Sequence, residues 1–180
     1  MKWMIAITLT GSTLIVPVST PGIVQDLGTS ETPTHVATMS DYVPSFEEYH
    51  DAQVKAHQLA VAKRHEDRMS HAIKLVLNRV GKTPYVLSGS TPNGWDCSGM
   101  VMWMYSKLGI ELPHSAAAQM YVGRRTNHPS PGDIVIWGGG YHSGIYLGKG
   151  KAVSALNYAF DTRITKVGFL GGGVTYINVY

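Results

Sequence analysis

The chain has 180 residues, 44% of them hydrophobic and 15% charged, enough apolar material for one packed domain with extensions and too little for two full ones. Its formal net charge of +3 comes without a dense basic cluster, which argues against nucleic acid as a partner while mildly favouring approach to an anionic polymer. Twenty glycines, nine prolines and ten tyrosines beside only three phenylalanines argue against an all-helical bundle and point to an α+β domain rich in turns.

Residues 1–20 carry an apolar stretch from Trp3 to Val18 behind Lys2. It suits a secretory signal peptide or, because Thr8, Thr10, Thr13, Ile15 and Val16 favour strands, an N-terminal β-forming arm. It is too short and interrupted for a stable membrane span. Residues 21–45 shift to Thr, Ser, Pro, Asp and Glu and read as a linker. Between Phe46 and Val80 there is no proline, and Ile73, Val76, Leu77 and Val80 recur at helical spacing. Two successive helices ending at Gly81 are expected there. The first, 46–69, is an accessory helix with a mixed-charge surface, and 70–180 is the main domain.

Beyond Gly81, short apolar runs are punctuated by Gly and Pro. One helix is expected from about Cys97 to Leu108, stopped by Gly109, with Val101, Met104, Tyr105 and Leu108 buried. Strands are expected at Asp133 to Trp137, Ser143 to Leu147, Ala152 to Leu156 and Val174 to Val179, with Gly148 to Gly150 as a hairpin turn.

The lone cysteine cannot form an intramolecular disulfide and needs another explanation. Cys97 follows the turn Thr91-Pro92-Asn93-Gly94 and opens the apolar helix, where the partial positive charge of a helix N-terminus and a neighbouring imidazolium both favour a thiolate. Such a cysteine taken alone is more often a small buried hydrophobe than a nucleophile. His142, after the glycine turn Gly138-Gly139-Gly140, opens a strand and can face a cleft, but spacing does not show that the two residues meet.

The run Gly81-Lys82-Thr83-Pro84-Tyr85-Val86, then Ser90 to Gly99 with Asp96-Cys97-Ser98-Gly99, Leu112-Pro113, Pro131-Gly132-Asp133 and His142-x-Gly-Ile-Tyr-x-Gly148 resembles the NlpC-type cysteine peptidases in the family's order over about residues 70–157. The resemblance implies a papain-like α+β fold, with the nucleophile at the N-terminus of a buried helix packed on an antiparallel sheet. It implies a metal-independent, cofactor-free hydrolase of peptidoglycan stem peptides or muropeptides, typically at the γ-D-glutamyl-diamino acid bond. Cys97 would be the nucleophile, His142 its base, and Tyr85 a donor beside the oxyanion. Asp96 and Ser98 would bind the substrate amine or backbone, and Asp96 also suits a helix cap. Where relatives carry His, Asn, Gln or Glu to orient the imidazole this chain has Ser154, with Asn157 as an alternative. It also departs before the nucleophile, reading Tyr85-Val86-Leu87-Ser88-Gly89 where many relatives have Tyr-x-Trp-Gly-Gly.

A monomer is expected, facing the cell wall after secretion or carried on a virion. Two other readings stay open: a wall-binding or assembly module with little catalysis, and a papain-like amidase or acyltransferase on a non-wall amide. The other histidines give no metal motif, since His65, Glu66 and His71 lack the i, i+4 histidine pair. His114 and His128 lie in loops without an assigned role. The glycine runs lack the Lys-Ser or Lys-Thr of a phosphate cradle, and Met100, Met102, Met104 and Trp103 read as core filling.

Overall fold

The computed structural model describes residues 44–179, together with the backbone of two short N-terminal strands, β1 (Ile7–Leu9) and β2 (Ser12–Leu14). These two pair antiparallel, Ile7 opposite Leu14 and Leu9 opposite Ser12. The remainder of the expected leader and residues 21–43 of the expected linker lie outside the described residues.

Helix α1 runs unbroken over Phe46–Leu77, 32 residues, where two helices were expected. The reason is local: no Gly or Pro interrupts this stretch, so nothing removes a backbone hydrogen bond midway. Its start is fixed by a reciprocal capping box, the Ser45 hydroxyl accepting from the Glu48 N–H while the Glu48 carboxylate accepts from the Ser45 N–H. The change in composition along the stretch alters burial instead. Residues up to 68 are almost all exposed, whereas Ala72, Ile73 and Val76 are buried.

A two-residue ladder, β3 (Ser90–Thr91) with β4 (Gly94–Trp95), leads into α2 (Cys97–Ser106). A single turn, α3 (Ala116–Gln119), follows. The main sheet comprises β5 (Arg124–Thr126), β6 (Ile134–Trp137), β7 (His142–Gly148), β8 (Lys151–Ala155), β9 (Thr162–Lys166) and β10 (Val174–Asn178). Their order is β5-β10-β6-β7-β8-β9, antiparallel throughout.

Alternation along the strands gives the sheet two apolar faces. Ile134, Ile136, Ile145, Val153, Ala155 and Ile177 form one, packed with Met100, Val101, Met104 and Tyr105 of α2 and with the buried end of α1. Val135, Trp137 and Ala152 form the other, covered by Val167 at a 3₁₀ turn (Val167–Leu170) and by Tyr146 and Tyr176. The four expected strands are present within a residue or two of their expected ends, and α2 is buried as its composition implied. The edge strands β5 and β9 and helix α3 were not anticipated. Arg124-Arg125-Thr126 and Thr162-Arg163-Ile164-Thr165-Lys166 are largely exposed, and a strand with a charged, solvated exterior carries little hydrophobic signal.

Candidate active site

Cys97 is the first residue of α2, and Asp96 is its N-cap. The first N–H groups of a helix have no acceptor within it, so this end of α2 presents donors. The Asp96 carboxylate uses one, accepting the Gly99 N–H at 2.8 Å. It also accepts the Ser98 hydroxyl (3.0 Å) and the Ser88 N–H (2.9 Å), and it pairs with His114 Nε2 at 3.0 Å. Burial alone would push this carboxyl up, but the bonds from Gly99, His114 and Ser88 hold it below its ordinary value. It is therefore a carboxylate fixed beside the thiol, and the Ser98 hydroxyl is spent on holding it. His114, to which the sequence assigns no role, is one of its partners.

The Cys97 thiol is partly buried. Burial raises its pKa above the ordinary value, and the Asp96 charge adds to the rise. The backbone N–H groups of Ser143 and Ser98 and the Ser143 hydroxyl act in the opposite direction. These contacts with Ser143, the second residue of β7, bring the start of that strand against the start of α2.

His142 is the first residue of β7 and is buried against the Trp137 ring, 5.5 Å between centroids. Its Nε2 lies 2.9 Å from Ser154 Oγ. Asn157, the alternative orienter, is elsewhere: its side-chain oxygen accepts the Ala159 and Phe160 N–H groups within the loop after β8. The pair depends on close packing at Gly144, where a Cβ would come within 2.7 Å of the Val153 carbonyl oxygen and 2.8 Å of Ser154 Cβ. That explains the glycine two residues after the histidine.

Burial depresses the His142 pKa from 6.5 to about 4, opposed only in part by the Asp96 charge. The imidazole is thus neutral at neutral pH. Because the folded state resists protonation that the unfolded chain accepts, stability is complete above about pH 6.5 and falls as the pH drops toward 4, by about 3 kcal/mol for this group. Thermal or denaturant unfolding of wild type and His142→Asn at pH 7 and pH 4 should show a larger acid loss in wild type by about that amount.

Tyr85 is half-buried and stands edge-on to Tyr158, 4.9 Å between ring centroids. Its N–H donates to Asp161 Oδ1 (2.8 Å) and it bridges to Trp95, whose indole N–H donates to the Thr162 hydroxyl at 2.7 Å. Burial first, then the charges of Cys97 and Asp96, raise the Tyr85 pKa. It is a protonated phenol near the thiol, with Tyr158 and Tyr141 exposed around it. The arrangement thus gathers Tyr85, Asp96, Cys97 and Ser98 around the head of α2, and His142 with Ser154 at the adjoining end of the sheet.

Residues 81–166 match the sequence model of the NlpC/P60 family. A probable endopeptidase of Mycobacterium tuberculosis is 37% identical over 95 residues, 51% of this chain and 24% of that protein. The gamma-DL-glutamyl hydrolase of Bacillus subtilis is 43% identical over 81 residues, 40% of this chain and 20% of that protein. The chain therefore spans no more than about a quarter of the length of these relatives. Among solved structures, the NlpC/p60 domain of the peptidoglycan hydrolase SagA superposes with a TM-score of 0.56 at 25% identity, over 61% of this chain and 98% of that domain.

Proposed function

Residues 81–166 form a domain of the NlpC/P60 family, and on that premise we propose that the chain is a cysteine peptidase hydrolysing an amide bond in peptidoglycan stem peptides, the γ-D-glutamyl bond to a diamino acid being the target we favour. The observation that carries the reading is the thiol of Cys97 at the head of α2, in contact with the strand whose first residue is the Ser154-bonded His142. The relatives' names support the reaction class, one a probable endopeptidase and another a gamma-DL-glutamyl hydrolase, and the superposed SagA domain belongs to a peptidoglycan hydrolase.

In this reading His142 donates its Nε2–H to Ser154 Oγ, which leaves the Nδ1 lone pair free to accept the thiol proton. A neutral thiol and a neutral imidazole match the directions in which the site pushes both groups. His142 then acts as a general base at the moment of attack, without a standing ion pair. The sulfur adds to the carbonyl carbon, and the negative charge on its oxygen is met by the Cys97 N–H and the Tyr85 hydroxyl. The imidazolium returns the proton to the leaving amine, and a thioester on Cys97 remains. His142 next takes a proton from water, which attacks the thioester, and the expelled thiolate recovers a proton. Asp96, already bonded to four groups, offers a substrate ammonium its negative potential more than a free oxygen.

Ser154 is a neutral orienter, so its loss removes a hydrogen bond of about 1 kcal/mol and slows turnover roughly fivefold. Comparing kcat of Ser154→Ala with wild type on one muropeptide checks this. The same neutrality motivates a second reading, a wall-binding module with little catalysis. Incubation with purified muropeptides and mass spectrometry of the products separates the two: new stem-peptide fragments support the peptidase, whereas sedimentation with wall fragments and no products supports the module.

A further inference from the structure

Ser143 acts on the thiol, and the mechanism above leaves its hydroxyl unused. It is fully buried, and its hydroxyl has no hydrogen-bond partner among the described residues. Sitting opposite Ile136 in the β6–β7 ladder, it follows His142 and so turns toward the α2 face of the sheet. There its hydroxyl and its backbone N–H are the groups of β7 that act on the Cys97 sulfur. Leaving a buried hydroxyl unpaired is costly, and a neutral S–H is a poor partner for it. A thiolate in the same place is a strong acceptor.

We propose that the Ser143 hydroxyl is a catalytic donor to the Cys97 sulfur, unpaired against the resting thiol and hydrogen-bonded to the thiolate once the proton has moved to His142. No bond in Ser143 breaks. The S–H proton goes to the imidazole, the hydroxyl keeps its own proton, and that O–H turns onto the sulfur lone pair. The cost of the unpaired donor is carried by the resting enzyme and relieved on ionisation, which favours the thiolate without a permanent positive charge. Of the charged or titratable groups, Asp96 and the phenol of Tyr85 interact with that sulfur, Asp96 opposing its ionisation, and His142 is the group that takes the proton in the mechanism above. The chemical role rests on the peptidase reading, whereas the effect on the thiol belongs to the protein alone.

The test is Ser143→Ala, with the pH dependence of iodoacetamide alkylation of Cys97 as the readout. The thiol pKa should rise by about one to two units, so alkylation at neutral pH should slow at least tenfold and recover at alkaline pH. The melting temperature should stay level or increase, because an unpaired buried hydroxyl has been replaced by a methyl group; a packing role would lower it. On muropeptides, kcat should fall with KM little changed. Ser143→Thr, which keeps the hydroxyl, should retain the wild-type alkylation profile if it folds, and circular dichroism reports whether it does. An unchanged alkylation profile in folded Ser143→Ala overturns the proposal. A shifted profile in a protein inert on every muropeptide sustains it and removes the peptidase reading instead.

Discussion

Cys97→Ala should abolish release of stem-peptide fragments, with a loss of at least about a thousandfold in kcat/KM, while leaving the melting temperature within a degree or two of wild type. The activity loss follows from covalent catalysis: without sulfur no thioester forms, and neither the Tyr85 hydroxyl nor the donors at the head of α2 can replace the attacking atom. Retained stability follows from the site. The thiol is partly buried, its surroundings disfavour its ionisation, and Asp96 caps the helix whatever occupies position 97. Product analysis by mass spectrometry and a thermal melt on the same preparation check both halves. Because the side chains and backbone around position 97 are otherwise unchanged, the variant should still bind the muropeptide.

The second large effect is structural and lies two residues on. Gly99→Ala should destabilise the domain by about 3 kcal/mol or more and lower soluble yield. A Cβ there would run into the Gly89 carbonyl oxygen and stand 2.9 Å from His114 Nε2. That carbonyl cannot retreat freely, because it accepts the Asp96 N–H at 3.1 Å and so ties the loop before β3 to the helix cap. Neither can the ring, because His114 is paired with the Asp96 carboxylate. Urea unfolding of the variant against wild type gives the number. The glycine of the Asp-Cys-Ser-Gly run thus lets backbone approach the helix closely enough to hold the neighbours of Cys97.

What sequence revealed and what it withheld divides along physical lines. The run of Val101, Met104 and Tyr105 made α2 legible, because a helix packed on several sides needs apolar residues at every turn. Strands β6, β7 and β8 were legible for the same reason. The edges were not: β5 and β9 satisfy only part of their backbone and carry arginine, lysine and threonine. In α1 the amino acids that favour helix formation continue from the exposed part into the buried part, so a shift in composition there marks where packing starts and not a break. At the site, Ser154 lies beside His142, whereas its alternative Asn157 is turned into its own loop. Residues that act through long-range contacts stayed hidden. His114 on Asp96, Asp161 on the Tyr85 N–H and Ser143 at the sulfur are 18, 76 and 46 positions from their partners, and no local pattern announces them.

The central claim is that Cys97 is acylated by a stem peptide, and the most direct measurement is intact-protein mass spectrometry of enzyme quenched in acid during turnover, followed by peptide mapping. Hydrolysis through a thioester predicts a transient adduct with the mass of the acyl half of the substrate, located on the peptide that contains Cys97 and absent from Cys97→Ala. Release of the same products by Cys97→Ala, or turnover by wild type with the adduct on another residue, would contradict the account.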